Sequence, residues 1–312
     1  MEIDSRRIRK LIRQSRSHER MVDRVLRSLP WLDPVGSLVQ RAVGAVYTSA
    51  GTPGRAIRNL MHGTTLLGHP LHPALSDLPL GAWTVGVIAD WLFVATGRVP
   101  AVAGDLALVV GVVGAILAAL SGLTDHHDTT GYEQRVATAH GLTMSAVLVV
   151  ELASLAMRVW VPGLHLSAVV LSSLAWLGAL QGAYVGAHMS FGMGTAVNHN
   201  AFFEGPAQYV RVGTRDDFPE GQMRTVVAEG LPVLIVRRNG LLRAIGAVCA
   251  HAGGPLDEGK IEGEVVECPW HYSRFRVADG RVVGGPATFD QPLLVARERG
   301  GIVEVKLANP LK

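Results

Sequence analysis

The chain has 312 residues, with 29 Lys and Arg against 26 Asp and Glu and a formal net charge of +3. With 48% hydrophobic residues and a mean hydropathy of +0.27, it is too apolar for an ordinary soluble protein of this length. The small positive surplus, explained below by membrane topology, excludes nucleic acid as a partner.

Residues 1–60 form a basic segment holding twelve Lys or Arg residues, from Arg6 to Arg58. Met21, Val22, Val25, Leu26 and Leu29, spaced among arginines, predict an amphipathic helix suited to an anionic lipid surface. The other reading is a solvated tail whose charges only orient insertion. The segment is not expected to be a signal peptide, because its apolar stretch is broken and no small-residue cleavage site follows.

Residues 61–189 read as four membrane helices. Stretches 106–124 and 166–187 carry no charge, and a helix of about twenty residues crosses a bilayer. Stretch 78–97 holds only Asp90 as a charge, and 142–157 only Glu151. Four spans place the basic segment and everything after residue 189 on one face. Only Arg98 and Arg158 are expected on the other, so the positive-inside rule predicts both termini in the cytoplasm.

Small residues Gly111, Gly114, Ala115 and Ala118 suit close helix packing, or a seam between copies in a homo-oligomer. Asp77, Asp90 and Glu151 are candidate functional carboxylates because charge within a span is costly. Glu151, mid-span, is the strongest of the three; an internal hydrogen bond between helices is its alternative.

Of the nine histidines between residues 62 and 199, eight fall on the predicted cytoplasmic side and only His165 lies opposite. Imidazoles from several helices of a bundle are suited to axial ligation of a haem. His72, His140 and His188 are the candidates, with His140 and His188 the first pair. A haem b, a quinone, or interfacial histidines with no ligand all remain open.

Residues 62–83, together with Gly122-Leu123-Thr124-Asp125 and Gly182-Ala183-Tyr184-Val185-Gly186-Ala187-His188, resemble a bacterial family of four-helix membrane domains of unknown function. The likeness spans about residues 55 to 205, and that family is often joined to a Rieske domain. The chain departs from it at Asp125-His126-His127-Asp128, where a tryptophan commonly follows the aspartate; His126 and His127 are therefore left out of the candidate site.

A linker is expected over residues 190–206. Residues 207–312 then show short β-branched runs at 233–236, 265–267, 293–295 and 302–305, separated by turn residues, with a hairpin turn at Arg238-Asn239-Gly240. Within them lie Cys249-Ala250-His251 and Cys268-Pro269-Trp270-His271, which contain the only two cysteines of the chain. Two thiolates and two imidazoles can hold a [2Fe-2S] cluster, one pair on each iron. The same four donors can also hold a tetrahedral zinc ion.

The flanking Gly253-Gly254-Pro255-Leu256 and Tyr272-Ser273-Arg274-Phe275 decide for the cluster, since with them this stretch resembles the Rieske family. The resemblance covers about residues 207 to 308. It implies a small antiparallel β fold in which Cys249, His251, Cys268 and His271 bind the cluster, closed by a third loop at Gly284-Gly285-Pro286-Ala287. It further implies that Ser273 and Pro286 tune the cluster. Phe275 lacks the hydroxyl that the family commonly offers there, and Tyr272 stands where it usually has glycine. With no further cysteine pair the chain resembles the ferredoxin type, which suits a reducing compartment and implies a potential below that of respiratory centres.

The expected fold is therefore an α+β two-domain membrane protein, a four-helix transmembrane bundle followed by an antiparallel all-β Rieske domain. The expected function is one-electron transfer between a cytosolic partner and a membrane redox site, with electron donor and acceptor unidentified. Alternatives are a membrane-anchored ferredoxin serving a separate oxygenase, or a redox sensor. An oxygenase centre on this chain is not expected: no histidine follows His271, so the two histidines of a mononuclear iron site are missing there.

Overall fold

The computed structural model describes residues 20–65 and 67–308; the predicted basic run from Arg6 to Arg16 lies outside the described residues. Three helices come first, α1 (Met21–Arg27), α2 (Leu32–Ser49) and α3 (Gly51–His62). Four long apolar helices follow: α4 (Leu71–Thr96), α5 (Ala101–His127), α6 (Gly131–Trp160) and α7 (His165–Ala187), the last continuing as a π-helical turn over His188–Met193.

The bundle reverses the burial pattern of a soluble protein. Leu106, Leu120, Leu174 and Leu177 face outward, while Gly104, Gly111, Gly114, Ala115, Ala118, Ala168 and Ala179 are buried between helices. Lipid tails solvate leucine as well as a core does, so small residues take the inside and let backbones approach. Trp83 fills the centre against Leu108, Val112 and Val147, and a Cβ on Gly111 would fall 2.3 Å from its Nε1. The small residues of α5 therefore serve packing within the chain.

Of the three carboxylates singled out within the spans, Asp77 is exposed while Asp90 and Glu151 have partners. The Arg158 side chain is 3% exposed, and its guanidinium bonds Asp90 at 2.9 and 2.5 Å and Asp105 at 2.9 Å. An Arg read from sequence as a loop charge thus answers the carboxylate of α4. Glu151 accepts a hydrogen bond of 2.7 Å from Ser172 on α7, the interhelical alternative expected for it, while its Oε1 is buried without a partner.

Helices α1 to α3 pack across the opposite end of the bundle. Gln40 donates to the carbonyls of His126 and Thr129 at 2.9 and 2.8 Å, and Tyr47 bonds Thr124 at 2.6 Å. Asp33 pairs with Arg135, and Asp23 accepts from the Tyr132 hydroxyl at 2.7 Å. The described part of the basic segment is therefore no solvated tail.

The C-terminal domain is two antiparallel sheets. Strands β1 (Val210–Thr214), β2 (Met223–Ala228), β3 (Leu231–Arg238), β4 (Leu241–Gly246), β9 (Leu293–Arg299) and β10 (Ile302–Leu307) form one, in the order β1-β10-β9-β4-β3-β2. Strands β5 (Lys260–Glu262), β6 (Val265–Glu267), β7 (Arg274–Arg276) and β8 (Val282–Gly284) form the other, in sequence order. Asn239 and Gly240 take φ of 52° and 75°, which the expected tight hairpin between β3 and β4 requires.

Candidate metal centre

Two loops, between β4 and β5 and between β6 and β7, share one conformation. The Cys249 N–H donates to the Gly254 carbonyl at 2.8 Å, and the Gly253 N–H returns to the Cys249 carbonyl at 2.9 Å. In the second loop Cys268 donates to Ser273 at 2.8 Å and Tyr272 returns to Cys268 at 3.1 Å. Gly253 and Tyr272 are thus equivalent, and both have positive φ, 78° and 63°. This explains why the resembling family uses glycine at the Tyr272 position. Tyr272 is 63% exposed.

Each loop also aims two backbone N–H groups at its own sulfur, those of His251 and Ala252 at Cys249 and those of Trp270 and His271 at Cys268. Both thiols are buried and close enough to hydrogen-bond each other. That bond, aided by the backbone donors, lowers the pKa of Cys268. The same bond, with burial, pushes Cys249 up. The imidazoles of His251 and His271 meet edge to face, ring centroids 4.9 Å apart. Burial first, and then His271, pushes His251 down to about 3, and burial lowers His271. Both rings are therefore neutral near pH 7, the form in which imidazole binds metal.

This donor set suits a two-iron cluster. The Nδ1 of His251 is buried with no hydrogen-bond partner, and a Cβ on Gly254 would fall 2.8 Å from the Cys268 sulfur, so only glycine leaves that space open. Among the described residues no three His, Cys, Asp or Glu side chains converge on one point, as a tetrahedral zinc ion would require. Two thiols at one place and two imidazoles at another match two irons.

Ser273 is fully buried and its Oγ accepts from the Ala287 N–H at 3.0 Å, which leaves the hydroxyl proton free to donate. Phe275 lies in the core that holds Cys249 and Cys268. Pro286 sits in the third loop, and that loop is bolted to the bundle. The Gly285 N–H donates to Asn59 Oδ1 at 3.1 Å and Thr64 Oγ1 donates to the Ala287 carbonyl at 2.9 Å. His69 meets Phe289 edge to face at 6.0 Å.

His62 is buried under Gly285. Its Nδ1 holds Asp125 at 2.8 Å, and its Nε2 lies 3.0 Å from Asp128 at an angle too bent for a hydrogen bond; Asp128 also pairs with Arg58. Burial pulls the His62 pKa down, but the two carboxylates outweigh it and hold it above the ordinary value. A cleft of about 210 Å³ separates the cluster-loop histidines from the bundle, lined by Glu133, Thr195, His199, His251, Trp270 and His271 among others. The segment expected as a linker is held on both sides. Thr195 donates to Glu133 at 2.5 Å, the His199 N–H to Ala250 at 3.1 Å, and Asn200 to Val248 at 2.9 Å.

The membrane histidines are not paired as expected. His188, at the start of the π-helical turn, reaches Asp23 of α1 at 3.1 Å, whereas His72 and His140 meet with ring centroids 6.1 Å apart. His126 bonds Thr138 at 2.9 Å. Asn59 and Thr64 carry no motif, and nothing in their local sequence marks them as contacts to the distant head.

Two sheets presenting paired Cys-x-His and Cys-x-x-His loops, behind four apolar helices, define a Rieske-type iron–sulfur domain joined to a membrane bundle. The Rieske [2Fe-2S] domain family matches residues 208–299, and the family described as predicted membrane protein (DUF2231) matches residues 68–201. The ferredoxin component of the naphthalene 1,2-dioxygenase/salicylate 5-hydroxylase systems of Ralstonia sp is 33% identical over 75 residues, 24% of this chain and 72% of that protein. The naphthalene 1,2-dioxygenase ferredoxin component of Pseudomonas aeruginosa is 33% identical over 72 residues, 23% and 69% of the two. The solved ferredoxin of carbazole 1,9a-dioxygenase from Nocardioides aromaticivorans IC177 shares 30% identity over 31% of this chain and 96% of that one, with a TM-score of 0.31. The chain belongs to the Rieske [2Fe-2S] family.

Proposed function

We propose that the protein is a membrane-bound one-electron carrier whose Rieske head exchanges electrons with a redox site in its own bundle and with a cytosolic partner. Cys249, His251, Cys268 and His271 would hold the [2Fe-2S] cluster, which when bound supplies one-electron chemistry at a potential set by its ligands and hydrogen bonds. Around it the chain's own groups divide the work. The four backbone N–H groups at the sulfurs favour negative charge there, and the Ser273 hydroxyl has a proton to add. Phe275 and its apolar neighbours keep water from the thiol side.

The observation that carries this reading is the direction of the histidine edge. His251 and His271 face the bundle end across the cleft, within the field of Asp128, His62 and Glu133, so the edge nearest the surface is turned to the membrane domain. Four spans and the basic amino-terminal segment support a multi-pass protein of the cell membrane with its head in the cytoplasm.

A second reading, an anchored ferredoxin feeding a separate oxygenase, is favoured by the relatives, both named as ferredoxin components of dioxygenase systems. Stopped-flow mixing of the detergent-purified protein with a quinol analogue separates the two. The carrier reading expects the cluster to be reduced through the bundle, more slowly when Asn59→Ala and Thr64→Val loosen the third loop. Reduction by soluble donors alone, unchanged in that variant, would favour the anchored ferredoxin.

A further inference from the structure

The two helical hairpins of the bundle, α4 with α5 and α6 with α7, repeat one geometry around a pair of histidines. Eighteen residues separate His72 from Asp90 in α4, and eighteen separate His140 from Arg158 in α6. Since Asp90 and Arg158 pair with each other at one end, His72 and His140 lie at equal depth near the other. His72 Nδ1 donates to the Ala118 carbonyl of α5 at 2.8 Å, and His140 Nδ1 donates to the Gly182 carbonyl of α7 at 2.9 Å. Four residues beyond each carbonyl stands a glycine against which the ring lies. A Cβ on Gly122 would come to 2.8 Å from His72 Cε1, and one on Gly186 to 3.1 Å from His140 Cε1.

Resting on the reading of the bundle as a redox site, we infer that His72 and His140 are the two axial ligands of a haem bound beneath the Rieske head. Donation from Nδ1 to a carbonyl fixes the tautomer and leaves the Nε2 lone pair for a metal. Neither Nε2 has a hydrogen-bond partner among the described residues. The ring centroids are 6.1 Å apart with planes at 74°. An imidazole nitrogen sits about 2.0–2.1 Å from a bound metal, so two rings on opposite sides of one metal have centres about 6 Å apart.

The number of donors selects the ligand. No third His, Cys, Asp or Glu converges there among the described residues, which is too few for a bare ion, whereas a haem iron brings four nitrogens and asks the protein for two. A quinone needs donors at its carbonyl oxygens, and both imidazoles have already given their N–H to backbone carbonyls. Both rings are partly buried. His72 is three residues beyond His69, which touches Phe289 of the head.

The test is the optical spectrum of the full-length protein in detergent, with haemin supplied during expression or added afterwards, in the wild type and in Cys268→Ser. A low-spin bis-imidazole spectrum at about one haem per chain is expected in both. His188→Ala should keep it, His72→Ala and His140→Ala should lose it or turn it high-spin, and His140→Met should keep the haem with shifted bands and a raised potential. The cluster's spin-resonance signal reports folding in every histidine variant. Absence of a Soret band in a wild type whose cluster signal is intact would overturn the haem and leave the Rieske reading standing, and so would a band unchanged in both alanine variants. Haem bands without a cluster signal in the wild type would do the reverse.

Discussion

Thr64 and Ala287 are 223 residues apart in the chain and share a buried hydrogen bond of 2.9 Å, donated by the threonine hydroxyl to the alanine carbonyl. It joins the end of the bundle to the loop that closes the metal centre. Thr64→Val keeps the side-chain volume and leaves a buried carbonyl unsatisfied, a cost of about 1–3 kcal/mol. The expected outcome is faster proteolysis within residues 190–206 and an unchanged cluster spectrum, because the bond docks the head without touching the ligands.

The His62 cluster makes docking depend on pH. The folded pKa of His62 is raised, so its contribution is fully present below the ordinary 6.5 and is lost as pH rises through the higher folded value. The folded pKa of Asp128 is lowered: burial raises it, but His62 and Arg58 outweigh that, so its contribution is present above the ordinary 3.8 and lost as pH falls through the lower value. Thermal unfolding in detergent should show the head most stable between these limits and weaker at about pH 9 than at about pH 6. His62→Gln should flatten that slope.

Tyr272 occupies a left-handed position that costs an L-residue about 1–2 kcal/mol, partly offset because glycine loses about 0.5–1 kcal/mol more conformational freedom. Tyr272→Gly should therefore gain up to about 1 kcal/mol in chemical denaturation and keep the cluster. Gly254→Ala should do the opposite, since its Cβ would lie 2.8 Å from the Cys268 sulfur; loss of bound iron is the readout.

Arg158 and Asp90 form a buried pair at the far end of the bundle. Arg158→Leu leaves Asp90 unpaired and should cost about 3–5 kcal/mol in unfolding assays in detergent. Adding Asp90→Leu should restore a large part of that loss, because breaking a buried pair costs more than replacing it with apolar groups.

The four spans were legible because hydropathy is a local property, and the hairpin at Asn239-Gly240 because its turn chemistry is local. The need for positive φ at Tyr272 could be inferred from the glycine of the resembling family and is now explained by the equivalence with Gly253. What the sequence concealed were pairings between distant segments. Arg158 looked like a loop charge because Asp90 is 68 residues away. The docking of the Pro286 loop on Asn59 and Thr64 rests on single polar residues without periodicity or motif, which no local pattern reveals.

Spin resonance of the dithionite-reduced protein tests most directly whether two sulfurs and two imidazoles of the head hold a [2Fe-2S] cluster. The wild type should give a rhombic signal with an average g value below that of all-cysteine clusters, abolished together with bound sulfide in Cys268→Ser. An all-cysteine type of signal, or iron, sulfide and spectrum unchanged in Cys268→Ser, would contradict the assignment.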